Sequence, residues 1–257
     1  MSPERADTPD RALGVFKCAD TPDPALGVFE TLLVRDGQVQ ALSAHLRRLA
    51  ASVSELYGLE LPPDLPAVIR RRIESLEGEH RLRVDAVPDG ATVRVQLRCS
   101  RLEATPAPSL LICGPVLVPG GLGAHKWSDR RWLEQFAQPG SVALLRDSRG
   151  DILEAAWGNF WLLEQGRLIT PPADGRLLPG VTRARLLALA PSLGLEAGEE
   201  RISLERAWAA TGMFLTSSVR LAVAAGLEPA EPGADERLAL PAIHRALSSG
   251  AWGQGED

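Results

Sequence analysis

The stretch "LGVFETLLVRDGQVQAL" is an apolar run broken by Asp36-Gly37, a pattern that predicts two strands joined by a tight hairpin turn. Ser43 then predicts the opening of a helix, "SAHLRRLAASVSELYG", closed by Gly58. Pro62-Pro63 precede a second helical pattern that runs to about Leu76. "RLRVDAV" and "TVRVQLRCS" alternate with period two across "PDG", predicting another hairpin, and "SLLICGPVLV" is a further apolar strand running into Pro119-Gly120-Gly121. Meandering strands packed by two helices make an α+β layer.

Beyond the Gly- and Pro-containing stretch 114–123, the pattern predicts a helix from Ser128 and strands at "SVALLRD", "ILEAA", "NFWLLE" and "LIT". After "PPADGRLLPG" a helix begins at "VTRARLLALAPSLG", "RISLERAWAA" reads as strand then helix, and "GMFLTSSVRLAVAA" as strand, turn, strand. The second half is therefore strand-rich and barrel-like. The organisation expected is a tail at 1–24, a small α+β domain at 25–113, a linker at 114–123 and a large domain at 124–257. The tail holds a partial repeat: "ADTPDRALGVF" at 6–16 recurs as "ADTPDPALGVF" at 19–29. Two short copies do not make a solenoid, and the first copy reads as a loose tail or an extra edge strand.

Composition narrows the class. With 257 residues, 45% hydrophobic and 24% charged, the chain is that of an ordinary globular protein able to bury a full core. A net charge of −5 offers no nucleic-acid footprint, and Arg70-Arg71-Arg72 reads as a solvated helix face. No apolar run approaches the ~20 residues of a membrane span, and "MSPERADTPD" is not a secretory signal. Cys18, Cys99 and Cys113 suggest neither a disulfide framework nor a zinc site, and the four histidines have no ligand spacing, so no metal is expected and a reducing cytoplasm is.

Of the 28 lysines and arginines only Lys17 and Lys126 are lysines. Lys17 lies in the first repeat copy, opposite Glu30 of the second, and reads as incidental. Lys126, in "GAHKWSDR", is then the only lysine in the body of the chain. Arginine stays protonated, whereas a desolvated lysine can lose its proton and attack an aldehyde. In "LLPGVTRARLL", Pro179-Gly180 allows close backbone approach, and the Val181 and Thr182 amides with the Thr182 hydroxyl suit a phosphate at a helix start. Ordinary capping explains the same residues. Glu154, five residues before Asn159, is either a solvated edge carboxylate or one buried against a positive partner. Ser218 and Arg48 are uninformative singly, although Arg48 has the chemistry to clamp a phosphate.

Taken in order, "GVFETLLVRDG", "LSAHLRRL", "GAHKWSDR", "LEAAWGNFWLL", "TPPADGRLLPGVTR" and "FLTSSVR" resemble the fold-type-IV pyridoxal-phosphate enzymes from about residue 25 to about residue 225. That family comprises branched-chain aminotransferases, D-amino acid aminotransferases and 4-amino-4-deoxychorismate lyases. The resemblance implies a two-domain α+β fold, with a small two-layer N-terminal domain and a larger barrel-like one. It implies pyridoxal phosphate as cofactor, Lys126 as the lysine that holds it and moves the substrate proton, and Glu154 as the partner of the pyridine nitrogen. Arg48, Val181, Thr182 and Ser218 fall where the family grips the phosphate. Trp157-Gly158 departs from the small residues usual before Asn159, which changes the shape of that wall.

Within the family, branched-chain aminotransferases line their pockets with tyrosines, but Tyr57 is the one tyrosine here. The D-amino acid enzymes hold the substrate carboxylate with an arginine and a histidine, and "VQLRCSRLEATP" has no histidine. Thr31 and Arg98 are the candidate substrate contacts. The resemblance is greatest to the aminodeoxychorismate lyases, implying conversion of 4-amino-4-deoxychorismate to 4-aminobenzoate and pyruvate on the way to folate. A transaminase acting on a branched-chain or D-amino acid is the alternative, and a cofactor-free scaffold or binding protein a second. The resemblance also implies a homodimer, and the lyase reading admits a chorismate-aminating partner.

Overall fold

The computed structural model describes residues 16–17, 22–102, 110–118, 120–134, 141–227 and 234–249. Within the expected tail only Phe16–Lys17 and Pro22 to Pro24 are described; the rest of 1–24 lies outside the described residues. Phe16–Lys17 forms a two-residue strand, β1.

The small layer is a four-stranded antiparallel sheet of β2 (Val28–Arg35), β3 (Gln38–Val39), β4 (Glu79–Asp89) and β5 (Thr92–Arg101), in the order β3-β2-β4-β5. Asp36 and Gly37 both adopt positive φ, as the predicted hairpin turn requires. Helices α1 (Leu42–Tyr57) and α2 (Leu65–Ile73) cover one face. Val28, Leu32 and Val34 of β2, with Leu82, Val84 and Ala86 of β4, pack there against Leu49, Val53, Ile69 and Ile73. Period-two alternation sends the intervening residues to the opposite face, where Thr31 lies across from Arg83 and Phe29 across from Asp85. This second face borders the functional site.

Two helix starts differ from expectation. Ser43 does not cap α1: the helix begins at Leu42 behind Ala41, which is left-handed (φ 53) and makes no side-chain cap bond. The chain returns so tightly from the hairpin that the Gln40 amide bonds the Leu33 carbonyl. No helix starts at Ser128 either: α3 (Arg131–Glu134) begins three residues later. The backbone before it is engaged elsewhere: Phe29 N–H donates to the Lys126 carbonyl (2.9 Å) and Ser128 N–H to the Gly27 carbonyl (3.0 Å).

The large sheet combines β6 (Leu110–Leu117), β7 (Ser141–Arg146), β8 (Ile152–Ala155), β9 (Asn159–Glu164), β10 (Arg167–Thr170), β11 (Glu196–Glu199), β12 (Gly212–Ser217) and β13 (Leu221–Gly226). Its order is β11-β10-β9-β12-β13-β6-β7-β8, with β1 beside β6. The Ala155–Gly158 turn brings β8 back next to β9, so the sheet curls on itself. Phe160, Leu162, Ile169, Leu215 and Val223 fill its inside, while α4 (Val181–Leu189) and α6 (Ala234–Ser249) cover Trp161, Phe214 and Leu168 on the outside. A short helix, α5 (Leu204–Ala209), follows β11.

The sequence boundaries need one correction. Residues 110–113, expected in the small domain, and 114–117, expected in the linker, together form β6, which pairs with β7 and β13 of the large sheet. Strand pairing cannot be read from an apolar run alone, and this run is satisfied by partners far ahead of it in sequence.

Gly121 lies on the approach to Lys126 at φ 73, and a Cβ there would stand 1.8 Å from the Arg176 carbonyl oxygen. Gly121→Ala should lower the unfolding free energy by about 2 kcal/mol or more. Gly90→Ala, also at positive φ (62) but in open space, should cost about 1 kcal/mol. Urea denaturation of the two variants measures the difference.

Candidate active site

A cavity of about 880 Å³ lies between the inner face of the small sheet and one end of the large sheet. Lys126, Arg48, Glu154, Val181, Thr182, Ser218, Thr31 and Arg98 all line it. The structure thus brings together every site residue expected from the sequence, from seven separate stretches of chain.

Lys126 is fastened to the edge of β2 through its own carbonyl, and its ammonium nitrogen lies 5.0 Å from the centre of the Phe29 ring. Burial and the nearby Arg48 guanidinium, against the pull of Glu30, bring its pKa down to about 8. An amine with that pKa is available as nucleophile and proton acceptor near neutral pH.

Glu30 was not foreseen as a site residue. It is 1% exposed, and both its oxygens are used. Arg48 donates to it from Nε (2.7 Å) and Nη2 (2.8 Å), and its Oε2 lies 2.8 Å from His45 Nδ1. Burial by itself would raise the Glu30 carboxyl, but Arg48 and His45 outweigh it and hold the group well below the usual carboxylate range. Burial lowers the His45 pKa against the attraction of Glu30, so the ring serves as a neutral donor. A glutamate inside the apolar run "GVFETLLV" was the available signal: it falls on the helix-facing positions, where an unpaired carboxylate is not tolerated.

Arg48 extends the contact across the cavity, donating from Nη1 to the Pro179 carbonyl (2.7 Å). The Leu178–Gly180 loop is gripped twice more. Asn159 Nδ2 donates to the Leu178 carbonyl (2.9 Å), and Leu178 N–H points to Glu154 Oε1 (3.4 Å). Gly180 packs so tightly that a Cβ there would stand 1.9 Å from Asn159 Oδ1. This loop delivers the N-terminus of α4 to the cavity. The cap residue Gly180 offers no side-chain bond, so the first amides of α4 have no capping acceptor. Thr182 is 2% exposed, and its hydroxyl has no hydrogen-bond partner among the described residues. Orphan amides, a buried orphan hydroxyl and an adjacent guanidinium make a site for an anion such as phosphate.

Glu154 lies at the other side of the cavity, on β8. Of its two sequence readings the buried one holds, at 7% exposure. Burial raises its pKa to about 7 despite the Leu178 amide and Lys126. The carboxyl therefore gains by taking a cationic N–H as neighbour.

The remaining wall is rich in arginine. Arg83 packs its guanidinium 3.6 Å from the centre of the Phe29 ring and pairs with buried Asp85 (2.7 Å). Arg98 pairs with the same Asp85 (2.7 Å), but its side chain is 64% exposed, at the rim. Arg81 lines the cavity from the same strand face, and Arg130 donates to the Ala156 carbonyl. The alternation of "RLRVDAV" placed Arg81 and Arg83 on one face; which face met the cavity was not legible. Among the described residues, no group of three or more His, Cys, Asp or Glu gathers as a metal site, and no helix is long and apolar enough to cross a membrane.

Comparison with known proteins adds an independent line. The profile of the amino-transferase class IV family matches residues 27–113 and 125–225. A Rickettsia felis protein named for branched-chain-amino-acid aminotransferase activity is 42% identical over 76 residues, which is 30% of this chain and 26% of that protein. The matched stretch thus spans about a quarter of that relative's length. A 4-amino-4-deoxychorismate lyase from Pseudomonas aeruginosa superposes with a TM-score of 0.70 at 23% identity, covering 90% of this chain and 96% of the other. A branched-chain aminotransferase from Thermoproteus uzoniensis gives 0.71 at 17%, covering 87% and 86%. A hypothetical aminotransferase from Mycobacterium tuberculosis, in its PLP-bound form, gives 0.69 at 21%, covering 94% and 95%.

Two outcomes follow from this geometry. Glu30→Gln leaves Arg48 without its buried counter-charge and should cost about 3–5 kcal/mol at pH 7. The folded carboxyl is held below its unfolded value of about 4.3, so its contribution is complete above that pH and fades as pH falls toward the folded value. Denaturation of both proteins between pH 7 and 3 should show the gap closing. Thr182→Val removes a hydroxyl that has no hydrogen-bond partner among the described residues. It should leave the unfolding midpoint of the cofactor-free chain unchanged or higher, while weakening equilibrium binding of pyridoxal phosphate about tenfold.

Proposed function

Because the chain belongs to the class IV aminotransferase family, whose members depend on pyridoxal phosphate, we propose that it is a lyase converting 4-amino-4-deoxychorismate to 4-aminobenzoate and pyruvate. The observation that carries this reading is the wall of the cavity. Arg81, Arg83 and Arg98 line it, and no tyrosine does; Tyr57, the one tyrosine, donates instead to the Pro24 carbonyl (2.8 Å). The proposed substrate carries two carboxylates, which an arginine wall can hold. An apolar branched side chain brings no anion to those guanidinium groups and sets hydrocarbon against a charged wall.

The residues present fit the cofactor. The α4 amides, the Thr182 hydroxyl, Arg48 and Ser218 can hold its phosphate, Glu154 can face its ring nitrogen, and Lys126 supplies the amine. When bound, pyridoxal phosphate supplies an electron-accepting ring to which a substrate amine can attach. The arginine wall holds the substrate by a carboxylate, with its amine toward Lys126. Lys126 Nζ takes the proton from the substrate carbon that bears the amine. The carbon–oxygen bond to the enolpyruvyl group then breaks, the ring becomes aromatic, and the same proton can return to the departing enol to give pyruvate. General base action of this kind contributes about 10²–10⁴-fold. Glu154 keeps a proton at the ring nitrogen by accepting its hydrogen bond, and Phe29 shields the amine from water. A scaffold protein would have no use for a buried lysine whose pKa is drawn down to about 8 in the same cavity as a buried carboxyl.

A second reading, amino transfer to or from a branched-chain or D-amino acid, is favoured by the stretch shared with the Rickettsia protein. Products separate the two. The lyase reading expects equimolar 4-aminobenzoate and pyruvate from enzymatically made aminodeoxychorismate with no keto acid added. Lys126→Arg, which cannot shed its proton, should lose about 10²-fold or more. An absolute requirement for a keto acid would establish the transaminase.

A further inference from the structure

We propose that Trp157 and Arg220 form a selectivity wall of the cavity, with the indole face receiving a flat unsaturated ring and the guanidinium its carboxylate. Both residues line the cavity, and they come from two turns at the same end of the large sheet. Trp157 is in the Ala155–Gly158 turn between β8 and β9, directly after Glu154-Ala155-Ala156. Arg220 is in the turn between β12 and β13.

The two turns are locked against each other. Asn159 pairs with Thr216 across β9 and β12. Gly158 lies so close to β12 that a Cβ would stand 2.9 Å from the Thr216 carbonyl oxygen. The Arg220 amide is held by Ser217 Oγ (3.3 Å), and the turn ends at Leu221, a buried leucine in the left-handed region (φ 57). A leucine held in that conformation marks a turn whose shape is imposed by its surroundings. The result sets the Arg220 guanidinium 4.9 Å from the centre of the Trp157 ring.

Charge then separates Arg220 from Arg48, Arg83 and Arg98. Arg48 is matched by Glu30, and Arg83 and Arg98 by Asp85. Arg220 pairs with no carboxylate among the described residues; its guanidinium rests on the indole alone. Trp157 is half-buried and packs against the large-sheet core, so its ring is held in place while still lining the cavity. A rigid aromatic surface next to an unmatched guanidinium fits a planar ring acid, because stacking needs a flat partner and the guanidinium needs an anion. A saturated, puckered ring meets the same guanidinium but not the same face.

This inference rests on the lyase reading for its choice of substrate, and binding separates the two. Calorimetry on the holoenzyme uses benzoate and cyclohexanecarboxylate, which share size and charge and differ in flatness. The wild type should prefer benzoate by roughly three- to tenfold. Trp157→Leu, which keeps apolar bulk without a ring face, should erase the preference, and Trp157→Phe should retain part of it. Arg220→Gln should weaken both acids by a similar factor, about threefold or more, and leave the preference intact. With aminodeoxychorismate, Trp157→Leu should raise KM with little change in kcat. Equal binding of the two acids by the wild type, or equal weakening of both by Trp157→Leu in a protein of unchanged melting temperature, overturns the proposal. A strict keto-acid requirement together with a Trp157-dependent benzoate preference overturns the lyase reading and leaves the wall standing.

Discussion

The buried pair between Glu30 and Arg48 is the constraint on which the site depends. Glu30 comes from the central region of the small sheet, Arg48 from the helix behind it, and the third bond of Arg48 reaches the Pro179 carbonyl of the large domain. Phe29, next to Glu30, binds the Lys126 backbone. One carboxylate therefore orders the guanidinium beside the helix start, while its neighbour in the strand fixes Lys126. A buried ion pair is seldom a net source of stability, since desolvation opposes it. Its value here is positional: with both Glu30 oxygens occupied, Arg48 has a single orientation.

Burial acts in opposite senses on the two groups expected to do chemistry. It lowers the Lys126 amine to about 8 and raises the Glu154 carboxyl to about 7. Both are drawn toward neutrality, where each can exchange a proton at little cost. Glu30, equally buried, goes the other way because two donors are aimed at it. Two kinds of buried carboxylate thus serve the site: Glu30, behind Arg48 and committed to its charge, and Glu154, in the cavity wall and poised to adjust it.

The anion site has a similar logic. Among the described residues no side chain caps α4 and none satisfies the Thr182 hydroxyl, although Asn159, Glu154 and Arg48 all hold the loop that leads into that helix. Effort spent on fixing a loop whose exposed amides remain unpaired makes sense where a ligand completes the bonding. The arginine wall opposite arises from alternation alone, since Leu82, Val84 and Ala86 must face the helices and Arg81, Arg83 and Asp85 therefore cannot.

Much of this was fixed by local patterning. Strand alternation, the Asp36-Gly37 turn, the Gly58 stop and the Pro-Gly start of α4 are short-range signals, and each was legible because the forces behind it act within a few residues. Lys126 stood out by residue choice alone in a chain that otherwise uses arginine. Other features needed the fold. The strand Leu110–Leu117 joined the large sheet because its partners lie far ahead in the chain, and residues 126–128 gave up a helix start to bond β2. Glu30, His45, Arg83 and Arg220 carry no motif of their own. Their roles come from what stands within hydrogen-bonding or stacking distance, and that proximity exists only once separate stretches of chain have been brought together and desolvated.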